Sequence, residues 1–339
     1  MNDNTSLPEK DLPPGRHRHL KEHLMREIRH TPAADEDRKA ARRRKWLRPA
    51  VAGPALAGAL ALAVVAGFAV TGSDGSAAPV GRDGRATYAF APRVNGDTTG
   101  GAAKLLDRIA TVAARSPAGG TVRDDQFVYV RSRVAAATVG EGVDTKLAAL
   151  HGREVWMSVD GTRPGLLREP GGGLDNEELE RDPAPGRPGY EVSTSYRHLQ
   201  TLPTTTDAML KWLRSQGESG DSDKNGDQDA FVLAGELLRE SLMPPETSAA
   251  LFRAVARISG VMVVPDAVNA AGRHGVAVAR YDAYNDGVRD ELVFDRKTLE
   301  LIGSRSVATK AKDGIEAGQV LSTSAVLERA VVDAKGRRP

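Results

Sequence analysis

The chain of 339 residues contains no cysteine, and only 4% of its residues are aromatic. The absence of cysteine excludes disulfide bonds, a lipid-modified cysteine, thiol catalysis and zinc sites built on cysteine. The net charge is only +2, with 27% charged and 40% hydrophobic residues. This composition is that of an ordinary soluble protein, and it excludes a polytopic membrane protein, a collagen and a wholly disordered chain.

Charged residues are missing altogether between Arg48 and Asp74. The segment Ala50–Val70 contains only Ala, Val, Leu, Gly, Phe and Pro. As a helix it spans roughly 31 Å, close to the thickness of about 30 Å of a bilayer's hydrocarbon core. Seven Lys and Arg lie directly before it, within residues 38–48. By the positive-inside rule this pattern predicts a transmembrane helix over residues 49–71, with residues 1–48 in the cytoplasm and the C-terminal part exported.

Two alternative interpretations of this region are weaker. The basic run could bind nucleic acid, but its position against an apolar segment favours a topological role, so the bilayer and not nucleic acid is the predicted partner. Ser76-Ala77-Ala78 could be a cleavage site for a signal peptide. A basic region of 48 residues is too long for a signal peptide, which favours an uncleaved anchor in the cell membrane.

The basic arm, residues 1–48, carries one short amphipathic pattern. Leu20, Leu24 and Ile28 are spaced four residues apart, with charged residues around them, and they predict a helix from Pro13 that ends before Thr31. A stripe this short cannot be buried within its own helix, so we expect it to bind a cytoplasmic protein. Leu20, Leu24 and Ile28 are therefore the candidate partner-binding residues.

The C-terminal part divides into a Gly/Ser-rich linker over residues 72–85, a folded domain over residues 86–333 and a tail over residues 334–339. Strands come first, then helices, then strands again, which predicts an α+β fold with a mainly antiparallel sheet and a helical insertion. Residues 170–188 are predicted to be a polar loop. Predicted helices are Lys104–Arg115, Asp207–Ser215, Ala230–Leu242 and Thr247–Ile258; predicted strands are Phe127–Val134, Glu154–Val159, Gly165–Arg168, Val261–Val264, Val276–Tyr281, Glu291–Phe294, Glu300–Val307 and Val320–Val332.

One local motif is typical of a metal site. Asp221, Asp223, Asn225 and Gly226 fit positions 1, 3, 5 and 6 of an EF-hand loop, and Asp227 follows them. Position 12 is Val232, so the bidentate glutamate that closes the cage is missing. We expect calcium affinity no tighter than millimolar and a polar connector between two helices, hence no metal site.

No catalytic signature is present: the chain lacks a G-x-S-x-G, an H-E-x-x-H, a Ser-x-x-Lys and a phosphate-binding Gly-Lys loop. Outside the arm only His151, His198 and His274 remain, and none lies in a recognisable triad context. We therefore expect no catalytic residues, no cofactor and no enzymatic activity.

The chain nevertheless resembles a family of actinobacterial single-pass membrane proteins of uncharacterised function, over nearly its whole length. The resemblance rests on Arg153–Trp156, Leu202–Thr204 with Asp207 and Leu210, Pro244-Pro245, Ala254–Val261, Gly272-Arg273 with Gly275–Val278, and Leu292–Asp295 with Thr298. The chain departs from the family at Ser259, where proline is expected, and at Thr205-Thr206, where Asp-Pro is expected. The family offers no active residue to carry over.

The layout is similar to that of anti-sigma factors, which join a cytoplasmic sigma-binding arm to an exported sensor. It implies an envelope regulator whose arm binds a partner such as a sigma factor. The exported part is also loosely similar to half-barrel lipoprotein-carrier domains. The alternative function is therefore a membrane-anchored carrier or binding domain for a lipid or a small apolar ligand.

Overall fold

A computed structural model describes residues 101–116, 121–138, 145–216, 226–312 and 314–339 of the chain. The predicted arm, transmembrane segment and linker lie outside the described residues. No helix in the described ranges is long and apolar enough to span a membrane.

The described part is an α+β fold with one sheet of nine strands, all paired antiparallel. The strands are β1 (Phe127–Ala136), β2 (His151–Ser158), β3 (Gly165–Glu169), β4 (Leu174–Leu179), β5 (Met262–Val268), β6 (His274–Tyr281), β7 (Val288–Phe294), β8 (Leu301–Ala308) and β9 (Val320–Val332). The helices are α1 (Ala102–Ala113), α2 (Tyr196–Thr201), α3 (Thr206–Ser215), α4 (Gly226–Arg239) and α5 (Pro245–Val255). The fold class, the antiparallel sheet and the helical insertion between β4 and β5 are confirmed.

The sheet consists of two meanders joined in the middle. Strands β1 to β4 pair in chain order, as do β5 to β9, and β9 returns to pair with β1. The strand order is therefore β4-β3-β2-β1-β9-β8-β7-β6-β5, and the sheet is open between β4 and β5. Helix α1 precedes the first meander and helices α2 to α5 follow it. The helices pack on one face of the sheet, which we call the helix face.

Alternation along the strands gives the helix face its main core. Val278, Leu292 and Phe294 pack against buried residues of α3, α4 and α5. Helix α5 also packs against α1, the helix that precedes β1. On the first meander, Val128 and Val130 face the same way and pack with Tyr196 of α2.

The opposite face, which we call the outer face, carries its own buried clusters. Ala277, Ala279 and Val293 cluster on β6 and β7 with buried residues of β5 and β8. Phe127, Tyr129 and Trp156 cluster on β1 and β2. Both faces of the sheet thus hold buried side chains, although the helices occupy only one of them.

The prediction of a loop over residues 170–188 is wrong for residues 170–179, whereas residues 180–188 do form a loop. A short 3₁₀ turn at Pro170–Gly172 leads into β4, which pairs with β3. The sequence of β4 is Leu-Asp-Asn-Glu-Glu-Leu, and its four middle residues are exposed. Strand β4 is an edge strand, so its acidic side chains point to water and discourage pairing with another chain.

The opposite edge is protected in a different way. Strand β5 contains the exposed Pro265, which cannot donate a ladder hydrogen bond, and its pairing with β6 shifts register between Val264 and Ala267. Proline and a bulge are both typical of edge strands.

Candidate functional site: the helix–sheet junction

The predicted partner-binding residues Leu20, Leu24 and Ile28 lie outside the described residues, as do Asp221, Asp223 and Asn225 of the predicted calcium motif. The remaining member, Asp227, lies in the first turn of α4 and is already occupied. Its Oδ1 accepts hydrogen bonds from Arg214 at 2.7 and 2.9 Å, and its Oδ2 accepts one from the backbone of Ser259 at 3.0 Å.

Asp227 therefore ties α4 to α3 and to the end of α5, and both of its oxygens are engaged within the protein. Burial alone would raise its pKa, but the hydrogen bonds from Arg214 and Ser259 outweigh burial and lower it. The bond from Ser259 uses a backbone N–H, which a proline at this position would lack. Within the described ranges, no group of three His, Asp or Glu side chains is arranged to hold a metal ion.

The structure brings together a charged site that the sequence did not reveal. Arg153 of β2 points to the helix face and lies between two carboxylates. It donates Nε and Nη2 to the two oxygens of Glu240 at 2.5 and 2.9 Å, and Nη1 to Glu169 of β3 at 2.5 Å. The Arg153 side chain is 8% exposed and that of Glu169 is fully buried. We call Arg153, Glu169, Glu240 and Arg329 the helix–sheet junction.

Arg329 of β9, which is separated from β2 by β1, completes the junction. Its guanidinium donates to the carbonyls of Leu238 at 2.8 Å and Ser241 at 3.1 Å, at the C-terminal end of α4. Carbonyls at a helix C-terminus lack partners within the helix and carry partial negative charge, so a cation is favourable there. Burial lowers the pKa of Arg329 to about 10, and the more distant Glu300 and Glu240 oppose this shift.

The two arginines hold α4 at one end while Asp227 holds it at the other. Burial opposes the charge on Arg153, but the carboxylates of Glu240 and Glu169 more than compensate and raise its pKa. Both arginines of the junction are therefore protonated at neutral pH. A buried, geometrically specific ion pair favours one discrete arrangement of the two layers over a continuum of loosely packed ones.

His151 lies beside the junction on β2. Its Nδ1 is 3.0 Å from the carbonyl of Ala149, an acceptor, so Nδ1 carries the proton and Nε2 the lone pair. Nε2 lies 3.4 Å from Glu169, whose charge Arg153 already compensates. Burial, followed by the charge of Arg153, lowers the pKa of His151 to about 3.

This low pKa predicts a pH-dependent stability. Unfolded His151 takes up a proton near pH 6.5, whereas the folded form does so only near pH 3, so stability is complete above pH 6.5 and falls as the pH drops between these values. From pH 6.5 to pH 4.5 the wild type should lose about 2–3 kcal/mol more unfolding free energy than His151→Gln. Urea titrations of the full chain at both pH values measure this difference. The exposed His274 supplies the control, since His274→Gln should follow the wild type; equal losses in all three proteins would contradict the prediction.

A crevice lies between α4 and the sheet on the helix face. It is lined by Gly235 and Arg239 of α4 and by Leu292, Ser304 and Ser324 of the sheet, among others. Its volume is about 180 Å³ including open solvent, and it leaves no room for a water-sized sphere. Pockets for small molecules measure roughly 300–1,000 Å³, so the crevice is packing space and gives the carrier hypothesis no support.

A second charged cluster lies on the outer face. Glu291 of β7 accepts hydrogen bonds from Arg289 at 2.6 and 2.9 Å and from Arg305 of β8 at 2.6 Å. None of the three side chains is more than 3% exposed. Charged residues within or beside the predicted strands were the available signal for this cluster and for Arg153, but the sequence alone could not show which partners they would meet.

Comparison with known proteins identifies no family for the chain. No family model matches it, and no curated protein matches it. Among solved structures, the chain is similar to the complex of MucA and MucB from Pseudomonas aeruginosa, at 12% sequence identity and a TM-score of 0.23. The match covers 70% of this chain and 58% of that one. A TM-score of this size is too low to support an inference about fold or function, so a functional proposal must rest on the sequence and geometry of the chain itself.

Proposed function

We propose that the protein is a membrane-anchored regulator with an anti-sigma-like layout. Its arm binds a cytoplasmic protein, such as a sigma factor, through Leu20, Leu24 and Ile28, and its α+β domain senses conditions outside the cytoplasm. The observation that carries the proposal is the position of the uncharged segment Ala50–Val70, which follows a run of cations and separates an amphipathic arm from a folded domain.

The helix–sheet junction supports a regulatory role for the folded domain. A sensor needs an element with two discrete arrangements, one of which the signal favours. Helix α4 is held at its C-terminal end by Arg153, through Glu240, and by Arg329. Breaking a buried ion pair leaves an uncompensated buried charge and costs about 3–5 kcal/mol, so this junction is suited to hold α4 in one state until a signal releases it. We further propose that the open sheet is a half-barrel of the lipoprotein-carrier type, here used for sensing.

The arm is tested by co-purification of the full chain from the membrane. Changing Leu20, Leu24 and Ile28 together to Asp should abolish capture of the cytoplasmic partner, because charged residues cannot be buried in an apolar groove. The control changes Arg18, Lys21 and Arg29 to Ala, which alters the net charge by the same amount but leaves the apolar stripe intact. The control should retain the partner. If the triple Asp variant retains every wild-type partner, the arm serves only to orient the protein in the membrane.

A further inference from the structure

The outer face of β1, β2 and β3 is covered by the last residues of the chain. Trp156 donates its Nε1 to the carbonyl of Arg337 at 2.5 Å. Arg168 donates to the carbonyl of Gly336 at 3.2 Å. Arg338 forms a two-pronged ion pair with Glu154, at 2.6 and 2.7 Å. The segment 335–338 therefore lies across a groove, which we define by Tyr129, Glu154, Trp156 and Arg168.

The floor of the groove requires a guanidinium. Glu154 is only 9% exposed, and its Oε1 accepts a hydrogen bond from the buried Tyr129 at 2.6 Å. A carboxylate this buried is costly unless a cation compensates it. The parallel N–H groups of arginine match both carboxylate oxygens, as Arg338 does here, whereas lysine offers a single point charge. Burial would raise the pKa of Glu154, and the hydrogen bonds from Arg338 and Tyr129 lower it instead.

The walls of the groove recognise the peptide backbone. Trp156 and Arg168 present N–H groups to two successive carbonyls, and the Arg168 guanidinium lies over the Trp156 ring, 5.0 Å from its centroid. Gly336 has a φ of +83°, and a Cβ on it would lie 3.1 Å from the Arg168 guanidinium. The groove thus selects a glycine followed, two residues later, by an arginine.

The bound segment is held through the side that faces the sheet, and its other side is exposed to water. The Arg338 side chain is 65% exposed although its carboxylate partner is 11% exposed, and Lys335 reaches the exposed Glu178 at 2.8 Å. The groove residues are largely buried, whereas residues 335–338 remain largely exposed to water. This arrangement is that of a binding surface that exchanges its ligand, and it differs from that of a continuous core.

We propose that this groove is a docking site for an arginine-bearing segment of another polypeptide that turns at a glycine two residues before the arginine. Residues 335–338 occupy the groove in cis with such a turn, in which the N–H of Arg337 donates to the carbonyl of Ala334 at 3.1 Å. The free site recognises one guanidinium through Glu154 and two backbone carbonyls through Trp156 and Arg168. The tail then acts as an intramolecular competitor. A partner segment that offers the same arginine and backbone carbonyls displaces it. This inference is independent of the arm and its cytoplasmic partner.

The test uses a fluorescent synthetic peptide with the sequence of residues 332–339 and the full chain, with binding followed by anisotropy. The full chain lacking residues 334–339 should bind the peptide, and the intact chain should bind it at least tenfold more weakly, because a tethered segment competes at an effective concentration in the millimolar range. Replacing the last arginine of the peptide by lysine should also cost at least tenfold. Glu154→Gln in the shortened chain should abolish binding.

Two results would overturn the proposal: a shortened chain with wild-type circular dichroism that does not bind the peptide, or an intact chain that binds as tightly as the shortened one. If the shortened chain fails to fold, the full-length Arg338→Ala variant takes its place, since it removes the ion pair and keeps the rest of the tail. Its affinity for the peptide should exceed that of the intact chain, and equal affinity for the two chains would refute displacement.

Discussion

Replacing Glu291 with glutamine should lower the free energy of unfolding by about 3–5 kcal/mol, because it leaves two buried arginines without a counter-charge. Both Arg289 and Arg305 donate to this carboxylate, and their side chains are 3% and 1% exposed. Within the described part of the chain, Nη2 of Arg305 already lacks a hydrogen-bond partner. Glutamine can accept only through one oxygen and carries no charge. Urea unfolding of the full chain at pH 7 measures the loss.

The matched control for this prediction is Glu328→Gln. Glu328 pairs with Arg131 across β1 and β9 at 3.0 Å, but their side chains are 36% and 46% exposed. An exposed pair of this kind contributes about 0–1 kcal/mol. A loss below 1 kcal/mol in Glu291→Gln as well would show that the outer cluster is solvated or compensated in a way that its burial does not indicate.

A second variant separates the cost of an unpaired charge from the value of the cluster itself. Changing Arg289 and Arg305 to Met together with Glu291 to Leu removes every charge and roughly keeps the volume. Such replacements of buried ion pairs are often neutral or stabilising. Recovery of stability in this triple variant would show that the arginines, once unpaired, cause the loss in Glu291→Gln.

Strong local patterns made much of the fold predictable. The predicted bounds of the last strand, Val320–Val332, agree with those of β9, and the first strand differs only by two residues at its end. The turn between β2 and β3 was also predictable from Asp160-Gly161: the Asp160 carboxylate accepts hydrogen bonds from Thr162, and Gly161 adopts a φ of +72°. Alternation and turn chemistry act over a few residues, so they can be recognised locally.

The features that the sequence concealed depend on distant partners. Strand β4 has few β-forming residues and exists because β3 offers it a hydrogen-bonding edge. Helix α2, Tyr196–Thr201, has only six residues and is too short to show a periodic pattern. At the junction, Arg153 and Glu240 are 87 positions apart, and neither residue has a local signal of its role. Residues 334–339 were predicted only as a tail, and the contacts of Lys335 and Arg338 reach residues more than 150 positions away.

The calcium motif shows the same dependence on distant groups. Spacing alone placed Asp227 among carboxylates that could share a cation, whereas the structure turns it toward Arg214 and the backbone of Ser259. Local spacing reports which side chains could meet, but competition from groups elsewhere in the chain decides which do. In the described part of the chain, Arg153, Asp227 and Arg338 fasten one layer or segment to another.

A substitution at the helix–sheet junction should cause the second large loss of unfolding free energy. This prediction bears directly on the proposed sensor. Arg153→Met should cost about 3–5 kcal/mol of unfolding free energy, because Glu169 and Glu240 are left facing each other's charge without a cation. The loss should be uneven across the fold. Arg153 binds Glu240 directly after α4, so hydrogen exchange of the α4 amides, residues 226–239, should accelerate more than that of β7 and β8.

Arg131→Met is the control for this experiment, because Arg131 of β1 lies on the outer face of the sheet, away from the junction, in an exposed ion pair. It should leave hydrogen exchange in α4 unchanged. Adding Glu169→Gln and Glu240→Gln to Arg153→Met neutralises the partners as well, and it should restore part of the stability. It should not restore the slow hydrogen exchange of α4, because the uncharged groups no longer fix the helix in one position. If Arg153→Met accelerates exchange uniformly across the sheet and the helices, the junction stabilises the domain as a whole, and α4 is not the element that a signal could release.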